Sequence, residues 1–148
     1  MAETQKAGTG YKSQFHLHNG TALYKLRHTK EFDVPGATAR EQEEVTHLES
    51  DDWRREYTST FYEDADIEVL LNSRPLSDTD VLLEAALAAD DVRAFKAVIA
   101  IRGVLVAQIT GTCRCTGYNR GRVTPAGVLE ATATFRLVTV DPIAPYSA

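Results

Sequence analysis

The stretch EEVTHLESDDWRREYTSTFYEDADIEVLL, Glu43 to Leu71, decides how the chain is read. EEVTHL opens it as a short strand. A charged loop holding the only tryptophan follows, and alternation from Thr60 to Leu71 then predicts a second strand. Phe61, Ala65, Ile67, Val69 and Leu71 share one face of that strand, interrupted by Glu63; Tyr62, Asp64, Asp66, Glu68 and Leu70 share the other. Three carboxylates at alternate positions repel one another, a cost that folding alone does not require. A solvated strand face, a surface that must not stick to nucleic acid, and a catalytic carboxylate pair are the three readings of Asp64, Asp66 and Glu68. The bias is regional, since residues 63–91 hold nine acidic side chains against Arg74 alone.

Outward from that stretch the pattern is mostly β. YKSQFHLHN alternates from Tyr11, NGT at 19–21 signals a turn, and ALYKLR returns as the second strand of a hairpin. VPGATA at 34–39 breaks regularity. VRAFKAVIAI at 92–101 is nearly continuous apolar, GVLVAQITGTCRC at 103–115 alternates, GYNRG turns the chain, and GVLEATATFRLVTV at 127–140 alternates again. On the last two strands Thr110, Thr112, Thr132 and Thr134 face outward together with Arg114 and Arg136. DPIAPYSA, the 141–148 tail, should pair poorly because of Pro142 and Pro145, and residues 1–10 read as a flexible arm. One helix is expected, DTDVLLEAALAAD at 78–90, with Ser77 as N-cap and Asp78 and Asp80 at the positive end of its dipole. Its polar stripe looks narrow, Asp80 and Glu84. That predicts either a helix sunk in its own core or one shared with a neighbouring subunit. The expected architecture for residues 1–148 is a single, mainly β domain: an antiparallel β-sandwich or partly closed barrel with one flanking α-helix.

A chain of 148 residues buries roughly two thirds of its unfolded surface, so its core needs no metal or disulfide. The formal charge of -5 argues against general binding to DNA or anionic lipid. The opening residues lack an apolar signal-peptide core and no run is long enough for a membrane span, so synthesis in a cytosol and no membrane partner are expected. Cys113 and Cys115 read as small buried hydrophobes. His16 and His18 share a strand face but lack a third ligand at a telling spacing. Catalytic, phosphate-loop and zinc motifs are missing, so neither an enzyme nor a cofactor is expected.

Four segments together resemble the major tail tube protein of long non-contractile-tailed bacteriophages: VPG at 34–36, EEVTHLESDDWRREY from Glu43, the strand DADIEVLLN and the helix opening SDTDVLLEAAL. EVTHLESDDWRRE carries the likeness, with its strand end, Thr, small polar segment and aromatic–Arg–Glu. The order of elements agrees from about residue 11 to 140. YTSTFYEDAD departs, standing where that family has a glycine-and-aspartate turn.

The resemblance implies a fold shared with the tube protein of type VI secretion. It implies hexameric rings stacked into a hollow virion tail tube, assembled in the host cytoplasm. Tape-measure, tail terminator and tail-tip proteins become partners, and double-stranded DNA crosses the lumen without specific binding. The loop with Glu49, Asp51, Asp52, Trp53, Arg54, Arg55 and Tyr57 becomes an inter-ring contact. Leu82, Leu83, Ala86 and Leu87 of the helix become a subunit interface. Asp64, Asp66 and Glu68 become a candidate lumen face, in competition with the threonine face. Alternatives are the tube of a contractile tail or secretion apparatus, and a monomeric β-sandwich binding module.

Overall fold

The computed structural model describes residues 8–48, 54–64 and 66–147, with backbone alone at 37–41 and 59–64. These fall into two compact units, residues 8–35 with 66–147, and residues 36–64.

The larger unit is one antiparallel sheet and one helix. Its strands are β1 (Gln14–His18), β2 (Leu23–Lys25), β3 (Thr29–Phe32), β6 (Ile67–Asn72), β7 (Arg93–Ile101), β8 (Val104–Asn119), β9 (Glu130–Val140) and β10 (Ala144–Pro145). They are ordered β2-β1-β7-β8-β9-β6-β3, with β10 also on β8. The smaller unit is a hairpin of β4 (Ala37–Glu44) and β5 (Tyr57–Asp64).

Strand β8 organises the larger sheet. It pairs with β7 from Val104 to Cys113 and with β9 from Gly111 to Asn119, so both partners flank it only over Gly111–Cys113. Register shifts follow Thr112 and Cys115, where bulges bend the strand. Gly111 makes the close approach at this corner possible: a side chain there would run into the Thr139 carbonyl and meet the Phe95 ring at 3.1 Å.

The bend brings distant strands together over one core. In a flat sheet β1 and β9 would stand about 14 Å apart, three strand spacings. Instead the Phe15 and Phe135 rings are stacked 5.5 Å apart, and Phe15 also meets Phe32 on the far edge strand at 5.6 Å. The sheet therefore curls over itself without closing, the mainly antiparallel β architecture expected, built from a single hydrogen-bonded sheet. Phe15, Phe95, Phe135, Ile67, Val69 and Leu83 are among its fully buried side chains.

Helix α1 spans Asp78–Ala89 as expected. Ser77 accepts from the Asp80 amide at its start, and Asp90 ends it in the left-handed conformation with its N–H on Ala86 O.

Several boundaries differ from the sequence reading. The strand expected from 60 to 71 is two strands, β5 ending at Asp64 and β6 beginning at Ile67. The EEVTHL strand lies earlier, as β4; ATAREQEE has little apolar alternation, and its pairing with β5 defines it. Strand β3 is an addition, and β8 runs to Asn119, through most of the expected GYNRG turn. The C-terminal tail pairs despite its prolines. Asp141 and Tyr146 donate to the Thr110 and Val106 carbonyls, so Pro145 sits where its missing N–H faces away from β8.

Candidate functional site

Three surfaces carry the residues singled out from the sequence. The first is the loop of the β4–β5 hairpin. Glu49, Asp51, Asp52 and Trp53 lie outside the described residues. Its base is held by two bonds, Val45 N–H to Glu56 O and Glu56 N–H to Thr46 Oγ1, both 2.8 Å. Arg54, Arg55 and Tyr57 are exposed there. Arg55 stands 3.6 Å from Glu44, and His47 lies 3.3 Å from Glu56. Both contacts are solvent-exposed and contribute little by themselves. Val45, Leu48 and Tyr57 are exposed apolar side chains at this end among the described residues.

The second surface is the polar face of the curled sheet. Asp64, Asp66 and Glu68 do not form one strand's row, because the chain breaks between β5 and β6. Asp64 ends the smaller unit, Asp66 precedes β6, and Glu68 lies on β6. Glu68 stands directly opposite Thr134, and Leu70 opposite Thr132. The carboxylate of Glu68 and the threonines therefore occupy one face of one sheet. The two competing lumen faces are, for Glu68, the same face. On its β8 side Thr112 and Thr139 share a hydroxyl bond of 2.7 Å, Thr110 donates to Asp141, and Arg114 stands opposite Arg136.

The third surface is the helix, expected to sit either in its own core or at a subunit interface. Leu82, Leu83 and Ala86 are 8, 0 and 1% exposed and belong to this chain's own core. Of the four expected interface residues only Leu87 reaches solvent, at 37%, and Val81 at 52% joins it on the outward side. The helix turns its polar positions differently from the expected stripe. Glu84 is exposed, whereas Asp80 is 3% exposed and turned inward. Its carboxylate accepts from Tyr118 Oη at 2.6 Å, Arg120 Nε at 2.9 Å and the Leu76 amide at 3.2 Å. Arg120, then Tyr118 and Leu76, hold that carboxyl below the usual carboxylate range against the opposing effect of burial. Glu84 takes a second arm of Arg120 at 3.0 Å. The cluster is fully hydrogen-bonded and locks the start of α1 to the end of β8. Asp80 three residues after Ser77 hints at an inward capping role, but Tyr118 and Arg120 lie about forty residues on and leave no local signal.

The cysteines and histidines behave as small structural groups. Burial pushes the Cys113 thiol up to about 12, with Cys115 adding to it, and burial raises Cys115 as well. His16 bonds Gln14 at 3.1 Å, and burial followed by Lys96 and Lys25 lowers its pKa. His18 Nδ1 accepts the Gly20 amide. No group of three metal-ligating side chains occurs among the described residues.

Neither a family model nor a curated protein sequence matches the chain. Solved structures do. A chain in the tail of an empty gene transfer agent particle, refined helically with C6 symmetry, is 16% identical; the match covers 95% of this chain and 100% of that one, with a TM-score of 0.66. A chain of the native gene transfer agent virion is 17% identical with the same coverage and a TM-score of 0.67. A chain of the six-fold symmetrised anti-feeding prophage baseplate is 9% identical, covering 87% of this chain and 89% of that one, with a TM-score of 0.62. The fold is similar to that of phage-like tail proteins. At these identities the likeness speaks to the tail fold alone. It extends over nearly the whole of both chains.

Proposed function

We propose that this chain is a structural tail protein whose copies form six-membered rings, stacked into a hollow tube that conducts double-stranded DNA from a virion into a host cell. The observation that carries the reading is the end-to-end match to a chain in a tail refined with helical C6 symmetry. Three features support it. The β4–β5 hairpin is long, with Tyr57 exposed near its loop. The outward side of α1 offers Val81 and Leu87 to a neighbour. The sheet face with Glu68, Thr132 and Thr134 offers hydroxyls and a carboxylate, which slide past phosphates where a lysine-lined wall would hold them. In this assignment that face borders the bore, and the 49–57 loop with Trp53 reaches the adjacent ring. The tape-measure, terminator and tail-tip proteins would be its partners.

A second reading has its own observation. A chain in the anti-feeding prophage cap, described as tube-terminating, matches over 99% of this chain and 95% of that one, with 8% identity and a TM-score of 0.61. On that reading the chain forms one ring that ends a tube. Negative-stain microscopy and sedimentation of the purified protein across concentration test both. Uniform hollow tubes support the first reading, isolated rings the second, and a monomer at every concentration removes both.

A further inference from the structure

Resting on the ring reading, we infer that opposite charges at two margins of the curled sheet direct a head-to-tail joint between copies, with Arg114 and Arg136 of one copy against Glu31 and Asp33 of the next. Beyond Cys113, β8 has lost β7, and residues Arg114–Asn119 pair only with β9 among the described residues. That half of the sheet, β8-β9-β6-β3, consequently ends in β8 on one side and β3 on the other.

Charge is sorted between these margins. Arg114 is the direct cross-strand partner of Arg136, and both are exposed. Like charges directly opposite each other destabilise a sheet. No ion pair among the described residues relieves them. Glu68 is a diagonal step from Arg136 and makes no ion pair with it. At the far margin Glu31 and Asp33 border a cleft of about 280 Å³ floored by Leu70 and Thr132. The Asp33 carboxylate accepts the Glu68 amide at 3.1 Å, and neither Glu31 nor Asp33 forms an ion pair among the described residues. The nearby Lys30 is engaged by Glu130.

Each copy thus carries an arginine pair toward one margin of the half-sheet and an acidic pair at the other, neither of them in an ion pair among the described residues. Such a surface complements the next copy in a heterologous contact, which closes into a ring when the rotation allows. The same joint withdraws the two arginines from the bore.

The test uses the full chain and charge reversal. Arg114→Glu with Arg136→Glu makes both margins acidic, and Glu31→Lys with Asp33→Lys makes both basic. Each variant should keep the wild-type circular dichroism, the Glu31→Lys with Asp33→Lys variant melting slightly lower for loss of the Asp33 bond to the Glu68 amide, while losing assembly by ~10-fold or more, because like charges now meet at every joint. An equimolar mixture should regain rings, with the two variants alternating. Wild-type assembly together with normal assembly of the arginine variant, or no rescue on mixing, overturns the joint and leaves the ring reading standing. An arginine variant that assembles normally but loses retention of duplex DNA overturns it in favour of a nucleic-acid contact. A wild-type chain that never assembles removes the ring reading and this joint with it.

Discussion

Tyr118 donates its hydroxyl hydrogen to the Asp80 carboxylate across 2.6 Å, joining the end of β8 to the first turn of α1. Asp80→Asn keeps the shape but weakens the pairing with Arg120 and turns a donor toward other donors. Unfolding by denaturant should show a loss on the order of 2 kcal/mol. Tyr118→Phe, which removes one bond, should lose less. Equal stability of Asp80→Asn and wild type would refute the lock.

The same carboxylate gives the pH dependence a sign. Its folded pKa is below the unfolded value, so its stabilisation is complete above about 3.9 and disappears as pH falls through the folded value. His16, also lowered, acts in the same direction at milder acidity: below about 6.5 the unfolded chain takes a proton that the folded chain resists. Melting temperature should therefore fall in two stages on acidification. His16→Gln should flatten the upper stage and Asp80→Asn the lower.

Gly111→Ala should destabilise by about 3 kcal/mol, because the added methyl meets the Thr139 carbonyl where β8 changes partners. Gly36→Ala, with open space around that position, is the control and should differ little. Chemical denaturation of the two variants separates a corner requirement from a general glycine effect.

Cys113 and Cys115 should resist a thiol reagent in the native state. Both are buried, and their thiols are pushed well away from the thiolate form. Labelling should track unfolding measured by fluorescence. Rapid labelling of the folded chain would contradict the packed corner.

Trp53→Ala should leave the spectrum and stability of the isolated chain near wild type while preventing tube growth, as should replacing residues 48–54 with a short glycine linker. The linker stays clear of the hairpin pairing, which runs to Val45 and Glu56. Normal tubes from either variant would remove the loop from the inter-ring contact.

Much of the fold was legible because its signals are local. The apolar alternation of β7, β8 and β9 and the Ser77 cap of α1 lie in contiguous residues, and period and capping depend only on neighbours along the chain. Where the signal is not local the reading went astray. Alternation runs from Thr60 to Leu71 with Glu63 as its one interruption, yet the chain changes partners between Asp64 and Ile67, which no periodicity records. Asp80 looked like part of a solvent stripe because its helix position says nothing of Arg120 and Tyr118. That Leu82 and Leu83 pack into this chain's own core is likewise set by the curl of the sheet, which no local pattern shows.

By itself the amino-acid sequence determined an antiparallel, mainly β chain with one capped helix and a charged loop inside a hairpin, since each follows from residues a few positions apart. Only the tertiary structure decided that β8 bends at Gly111, that Glu68 joins the threonines on one face, and that Arg114 stands against Arg136. Those relations depend on which strands become neighbours. That choice is made by the collective burial of Phe15, Phe95 and Phe135 and by the close approach a single glycine permits.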